Sequence, residues 1–139
     1  MEMVAKILML ASATVIFLLG TIHLIYTFHG PKLQPREPGF HALMDQVSPV
    51  ISRETTMWQA WIGFNASHSL GAMLFGLLYG YLAASQPSLL FSSVFLVAVG
   101  LALLVAYTVL ALKYWFSIPF RGIVIALACY VAAIAASLI

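Results

Sequence analysis

The chain has 139 residues, of which 63% are hydrophobic and 7% are charged, and its formal net charge at neutral pH is +2. A soluble domain carries about a quarter charged residues, so the composition excludes a largely water-facing surface and predicts an integral membrane protein. The small net charge gives no basis for binding nucleic acid, and the single cysteine, Cys129, excludes an intrachain disulfide.

Four apolar runs follow one another along the chain, each close to the ~20 residues that a spanning helix requires. They cover about residues 3–28, 57–84, 89–112 and 118–139. Helices are expected, because an open sheet would leave backbone groups unpaired in lipid. We therefore predict an all-α fold in which residues 1–139 form one membrane domain, a four-transmembrane-helix antiparallel bundle.

The first run carries polar residues towards its end. Gly20, His23 and Thr27 share one helical face, and Tyr26 belongs to the band of aromatic residues expected at a membrane boundary. This spacing predicts an imidazole that points towards other helices near one end of the bundle.

The first connection runs from His29 to about Thr56 and is broken by proline at both ends. Residues 40–47 between them predict a short helix with Phe40, Leu43, Met44 and Val47 on one face. We interpret it as an interfacial helix that lies on the lipid headgroups and covers the bundle, with a plain linker as the alternative. Ser52 is expected to cap the second long helix.

The second run contains a stripe of residues at helical spacing. The side chains of its outer half are small, and those of its other half include an amide and an imidazole. Its members are Trp61, Asn65, His68, Ala72, Gly76 and Gly80. Small residues let two membrane helices approach closely, so the stripe is expected to face protein. Ser67 and Ser69 flank it and can donate hydrogen bonds to carbonyls one turn back.

Basic residues indicate the orientation of the chain. Lys32, Arg36 and Arg53 lie in the first connection, and Lys113 and Arg121 flank the third, whereas Lys6 stands alone on the opposite side. The excess of lysine and arginine marks cytoplasmic connections. We therefore expect a multi-pass protein of the cell inner membrane, with both termini outside, in the periplasm.

These patterns combine into a ligand-site hypothesis. We expect His23, Asn65, Ser67 and His68 to form a polar pocket in the cytoplasmic half of the bundle, because polar groups at membrane depth need partners. Tyr26 and Trp61 are the candidate ligand contacts at its mouth. The favoured role is non-catalytic: packing with partners, or holding a lipid-like or quinone-like molecule.

Three alternatives stay open. The polar residues can form a purely structural network, or His68 can act as a general base or metal ligand in a membrane enzyme. His23 and His68 could also ligate haem or a metal ion. If Phe28 and Trp58 mark the same membrane boundary, the two histidines differ in depth by roughly 7 Å at ~1.5 Å per residue. If Trp61 marks the boundary instead of Trp58, the difference in depth falls to about 3 Å. No residue is assigned as catalytic.

The expected partners are membrane lipids, together with either further copies of the chain or the other subunits of a larger membrane complex. Small residues give the third run a smooth face at Gly100, Ala102 and Ala106, a pattern suited to helix association.

Two blocks of sequence carry a resemblance. They are TMWQAWIGFNASHSLG at residues 56–71 and YWFSIP at residues 114–119. With them the chain resembles a group of small bacterial four-span membrane proteins. The resemblance implies a four-helix membrane fold and brings no activity, substrate or cofactor with it.

Overall fold

The structure is a computed structural model, and it describes residues 2–139. Within that part of the chain every regular element is a helix, and there are six: α1 Glu2–Phe28, α2 Pro38–Gln46, α3 Met57–Ser85, α4 Pro87–Ser92, α5 Val94–Tyr114 and α6 Ser117–Ser137. The predicted all-helical fold is confirmed, and the short helix predicted in the first connection is α2.

Three of the described helices are long and apolar enough to cross a membrane. They are α1, α5 and α6, with mean hydropathy values of 2.2, 2.6 and 2.0. Helix α3 has 29 residues, but its first half carries the amide, imidazole and hydroxyl groups that lower its hydropathy. Four spans therefore stay a prediction, whereas three membrane-capable helices support a small integral membrane protein.

The third apolar run differs from the single helix expected over residues 89–112. It folds as the short helix α4 followed by α5, and the break falls at Ser93. The hydroxyl of Ser93 accepts a hydrogen bond from the backbone N–H of Leu96 at 3.3 Å and so caps α5. A serine that satisfies a free N–H favours a helix start over a helix interior.

The chain divides into two compact units, which we describe separately. The core unit comprises residues 2–19 with Ala72–Ile139, and the polar unit comprises Gly20–Gly71. Helices α1 and α3 each contribute residues to both.

In the core unit, α1 and α3 approach closely at Gly76. A Cβ atom at this position would lie 2.5 Å from Phe17 Cβ and 2.7 Å from the carbonyl oxygen of Ala13. Only a residue without a side chain leaves room for that backbone contact. The close approach predicted from the small-residue stripe is therefore confirmed at this point.

Two tyrosines fasten the other side of the core unit to α5. The hydroxyl of Tyr79 donates to Leu96 O at 2.7 Å, and that of Tyr130 donates to Val97 O at 3.1 Å. Gly100 makes this possible, because a Cβ there would overlap the Tyr130 hydroxyl and lie 2.7 Å from the Tyr79 ring. The buried aromatic rings thus keep their polar ends paired.

Candidate functional site

The polar unit contains a direct hydrogen bond between α1 and α3. His23 Nε2 lies 2.9 Å from Asn65 Oδ1, and the amide nitrogen of Asn65 donates to Trp61 O at 2.8 Å. Since that orientation leaves the Asn65 oxygen as an acceptor only, His23 Nε2 carries the proton. The imidazole nitrogen Nδ1 is then the acceptor of the neutral ring.

His68 completes this cluster from the next turn of α3. The rings of His23 and His68 have centroids 5.6 Å apart and are perpendicular. Two predicted site residues on α3 and one on α1 are therefore brought together. We call His23, Asn65 and His68 the histidine cluster.

The serines beside the cluster have different surroundings. Ser69 is fully buried, and its hydroxyl donates to Asn65 O at 2.9 Å. Ser67 is exposed, and its hydroxyl donates to Phe64 O at 3.0 Å. Both hydroxyls return to their own helix, as expected for serine in a membrane helix, so neither is activated as a nucleophile.

Trp61 ties the first connection to α3. Its indole Nε1 donates to Leu33 O at 3.1 Å, so the chain just after α1 lies level with the second turn of α3. The end of α1 therefore lies at about the depth of Trp61 on α3. Counted from that depth, His23 and Asn65 are at similar heights along their helices, which explains why they meet.

The start of α3 is set by a pair of side chains that the sequence reading missed. Gln59 N donates to Thr56 Oγ1 at 3.2 Å, and Thr56 N donates to Gln59 Oε1 at 3.3 Å. These reciprocal bonds form a capping box, whose threonine-x-x-glutamine spacing was a readable signal. The expected cap, Ser52, instead accepts from Glu54 N at 3.1 Å in the preceding turn.

Helix α2 rests on α3 through an imidazole. His41 and Trp58 have ring centroids 4.2 Å apart and are nearly perpendicular. Among the described residues, His41 Nε2 is buried without a hydrogen-bond partner. The imidazole therefore contacts Trp58 through ring packing alone. The other face of α2 is exposed at Phe40, Leu43 and Val47.

A cavity of ≈ 250 Å³ lies within the polar unit, and we call it the groove. It is lined from the end of α1, the following turn and the start of α3, by Tyr26, Thr27, Phe28, Gly30, Leu33, Gln34, Trp58 and Ile62. Thr27 links it to the histidine cluster, because its hydroxyl donates to His23 O at 2.8 Å. Ile62 lies one turn from Asn65. Of the predicted site residues, Tyr26 lines the groove, whereas Trp61 fixes its wall through Leu33.

The core unit has a larger cavity of ≈ 500 Å³, lined from the start of α1, from α4 and from the C-terminal end of α6. Glu2, Ser88 and Ser137 are its polar side chains. None of the predicted site residues lines it.

The hydrogen bonds of the cluster restrict how it can hold haem or a metal ion. An axial imidazole must offer an unprotonated nitrogen to iron, and His23 Nε2 carries a proton bonded to Asn65 Oδ1 at 2.9 Å, so only Nδ1 of this ring is open to ligation. The described residues contain no group of three or more histidine, cysteine or acidic side chains placed to hold a metal ion.

Comparison of the chain with protein families, curated proteins and solved structures finds no match. The function is therefore argued from the geometry of the polar unit.

Proposed function

We propose that this small integral membrane protein is non-catalytic and holds the polar end of a lipid-like or quinone-like molecule in the groove. The observation that carries the proposal is a ≈ 250 Å³ cavity lined by the rings of Tyr26, Phe28 and Trp58 together with the polar side chains of Thr27 and Gln34. A small cavity that mixes aromatic and aliphatic side chains with polar groups suits the polar end of an amphiphile better than a large soluble substrate.

The hydrogen bonds of the polar unit support binding over catalysis. Asn65 is engaged on both sides of its amide, by His23 and by Trp61 O, and the serine hydroxyls donate to their own helix. A nucleophile needs an adjacent base that takes its proton, and these hydroxyls are directed elsewhere. The histidine cluster lies outside the lining of the groove, and we assign it the structural role of joining α1 to α3, the two helices that contribute most of that lining.

A co-purification experiment tests this role. Native mass spectrometry of protein purified in mild detergent should show a retained molecule of lipid or quinone mass. Ile62→Trp fills the groove and should abolish retention, whereas Leu70→Trp, on an exposed position of the same helix, should leave it intact. Retention that is equal in the two variants would contradict the proposal.

We place the protein in the membrane as a four-span antiparallel bundle, with α3 as the additional span and both termini periplasmic in a cell inner membrane. The bundle corresponds to that of the bacterial group named above. The support is that five of the six lysine and arginine residues fall on one side of such an arrangement. Helix α2 would then lie at the cytoplasmic interface, with Phe40, Leu43 and Val47 towards lipid.

Labelling across the membrane tests the crossing of α3. Ser48 and Ser88 are exposed and flank that helix, so Ser48→Cys and Ser88→Cys can be compared in a Cys129→Ala background. An impermeant maleimide applied to intact cells should label position 88 and spare position 48. Labelling of both from the same side would show that α3 does not cross.

Association with other copies or with a larger complex belongs to the same proposal. The support is an exposed line of alanines on α6 at Ala128, Ala132 and Ala135, a surface that suits close helix packing. The mass of the intact species in the same native spectra reports the oligomeric state, and Ala132→Leu should shift it towards monomer.

A further inference from the structure

We propose that the groove selects a lipid with an ammonium headgroup, of the ethanolamine or choline class. This inference rests on the proposed function and names the chemistry of the molecule that the groove holds. It follows from the way in which α1 ends, from the aromatic rings around the groove and from the charges near it.

Helix α1 ends with carbonyl groups that lack backbone partners. His29 N donates to Ile25 O at 2.8 Å, but within residues 2–139 no backbone hydrogen bond reaches the carbonyl oxygens of Tyr26, Thr27 or Phe28. These three residues line the groove. Unpaired carbonyls at a helix C-terminus carry partial negative charge and favour a cation.

The residues after α1 explain why these carbonyls stay open. Gly30 has a φ of +80°, the left-handed conformation that commonly terminates a helix. In the usual motif the following N–H folds back to a carbonyl of the last turn. Here the following residue is Pro31, which has no N–H. The backbone N–H that would normally bond to a carbonyl of the last turn is therefore missing. No basic side chain lies in that turn to take its place.

Aromatic side chains supply the second feature that attracts a cation. Tyr26, Phe28 and Trp58 are three of the eight residues that line the groove, and Tyr26 and Phe28 are well exposed. A cation near an aromatic face gains about 0.5–2 kcal/mol, depending on desolvation. An ammonium headgroup, primary in ethanolamine lipids and quaternary in choline lipids, is the cation that zwitterionic phospholipids offer to such rings.

The charges around the groove distinguish between possible occupants. Neither a basic nor an acidic side chain is among its described lining residues, so the helix carbonyls and the aromatic rings decide the sign of the charge, and both favour a cation over a phosphate or carboxylate. Lys32 is exposed, lies outside the lining and follows Gly30 by two residues, and we assign its ammonium to the phosphate that joins a headgroup to glycerol. A zwitterionic lipid satisfies both positions, whereas a quinone satisfies neither the carbonyls nor Lys32.

Competition between lipids tests the assignment. Delipidated protein is given equal amounts of phosphatidylethanolamine, phosphatidylcholine and phosphatidylglycerol with the same acyl chains, plus ubiquinone, and bound species are counted by native mass spectrometry. We expect each ammonium lipid to exceed phosphatidylglycerol by roughly threefold to tenfold, the range that one or two ring contacts provide. Equal retention of the three lipids, or preferential retention of ubiquinone, would overturn the assignment.

Matched variants separate the aromatic contribution from loss of fold. Tyr26→Leu and Phe28→Leu should each reduce the preference towards unity, whereas Tyr26→Phe keeps the ring and should keep the preference. Tyr114→Leu removes an exposed boundary aromatic of the core unit and should change nothing. A preference that survives both leucine variants would show that the rings do not select the headgroup.

Two further measurements distinguish a lipid headgroup from a soluble ammonium compound, and failure of the headgroup assignment from failure of the proposed function. Choline chloride added in excess should leave lipid retention unchanged, and its displacement of both ammonium lipids would identify a soluble ammonium compound instead. If a quinone or phosphatidylglycerol is retained in preference to the ammonium lipids and is lost in Ile62→Trp, the groove holds a ligand but the headgroup assignment is wrong. If the wild type retains nothing, the proposed function itself fails, and this inference fails with it.

Discussion

The core unit and the polar unit are stabilised in different ways. Every buried apolar side chain that the structure describes belongs to residues 2–19 or 72–139. In the polar unit the described buried residues are Gly20, Thr27 and Ser69, and its helices meet through the His23–Asn65 hydrogen bond. The comparison indicates that shape complementarity specifies one unit, whereas directional polar contacts specify the other and leave space for a ligand.

The largest expected effect tests the role of shape in the core unit. Gly76→Ala would place a methyl group against the Cβ of Phe17 and the backbone of Ala13, and overpacking of this kind costs about 1–3 kcal/mol. Gly63→Ala is the control on the same helix, since nothing lies within 4 Å of its added Cβ. It should leave the free energy of unfolding unchanged or raise it by up to about 1 kcal/mol.

Titration with a denaturing detergent in mixed micelles measures both free energies of unfolding. Equal destabilisation by the two alanines would break the comparison, because packing would then be no tighter in the core unit than at the exposed glycine of the polar unit.

A smaller effect is expected at the tyrosine pair. Tyr130→Phe removes the bond to Val97 O and should lower the free energy of unfolding by ~0.6 kcal/mol, the mean for polar contacts between membrane helices. It should also reduce the cost of Gly100→Ala, since the Tyr130 hydroxyl is the first atom that the new Cβ would meet. Strict additivity of the two substitutions in the same titration would argue against that contact.

The smallest effect sharpens the description of the polar unit. A double-mutant cycle of His23→Phe and Asn65→Leu should give a coupling energy of ~0.6 kcal/mol in the free energy of unfolding, with both single variants still folded. The native spectra of the same proteins should show weakened ligand retention, because the His23–Asn65 bond joins the two helices that line the groove. Zero coupling would mean that the 2.9 Å bond does not hold α1 and α3 together.

Periodicity was sufficient to predict much of this structure. Apolar runs gave α1, α3 and α6 within one or two residues of their ends, and the 4-residue spacing of Ala72, Gly76 and Gly80 predicted a close helix contact. The same spacing placed Asn65 and His68 on one face, where the structure brings both to His23. These features depend on one helix at a time, so the sequence carries them directly.

Features that depend on the relation between elements were harder to predict. The depth of His23 relative to Asn65 follows from the Trp61 bond to Leu33 O, which apolar periodicity does not encode. Apolar residues on both sides of Ser93 concealed the break between α4 and α5. The groove lies at the turn formed by Gly30 and Pro31, which ends α1. Tyr26, Phe28 and Trp58 line it, although the sequence pattern assigned them only to a membrane boundary.

The unequal lengths of the helices bear on the setting of the histidine cluster. Helix α1 has 27 residues, whereas α5 and α6 have 21 each. At ~1.5 Å per residue these lengths are about 40 Å and about 32 Å, against a hydrocarbon layer of ~30 Å. The shorter helices match that layer, so α1 must either tilt or protrude. A protrusion shared between its two ends brings His23, five residues from Phe28, to within about 3 Å of the hydrocarbon boundary. Hydrophobic mismatch would therefore give this imidazole partial hydration and a headgroup-like dielectric, despite its position within a continuous transmembrane segment.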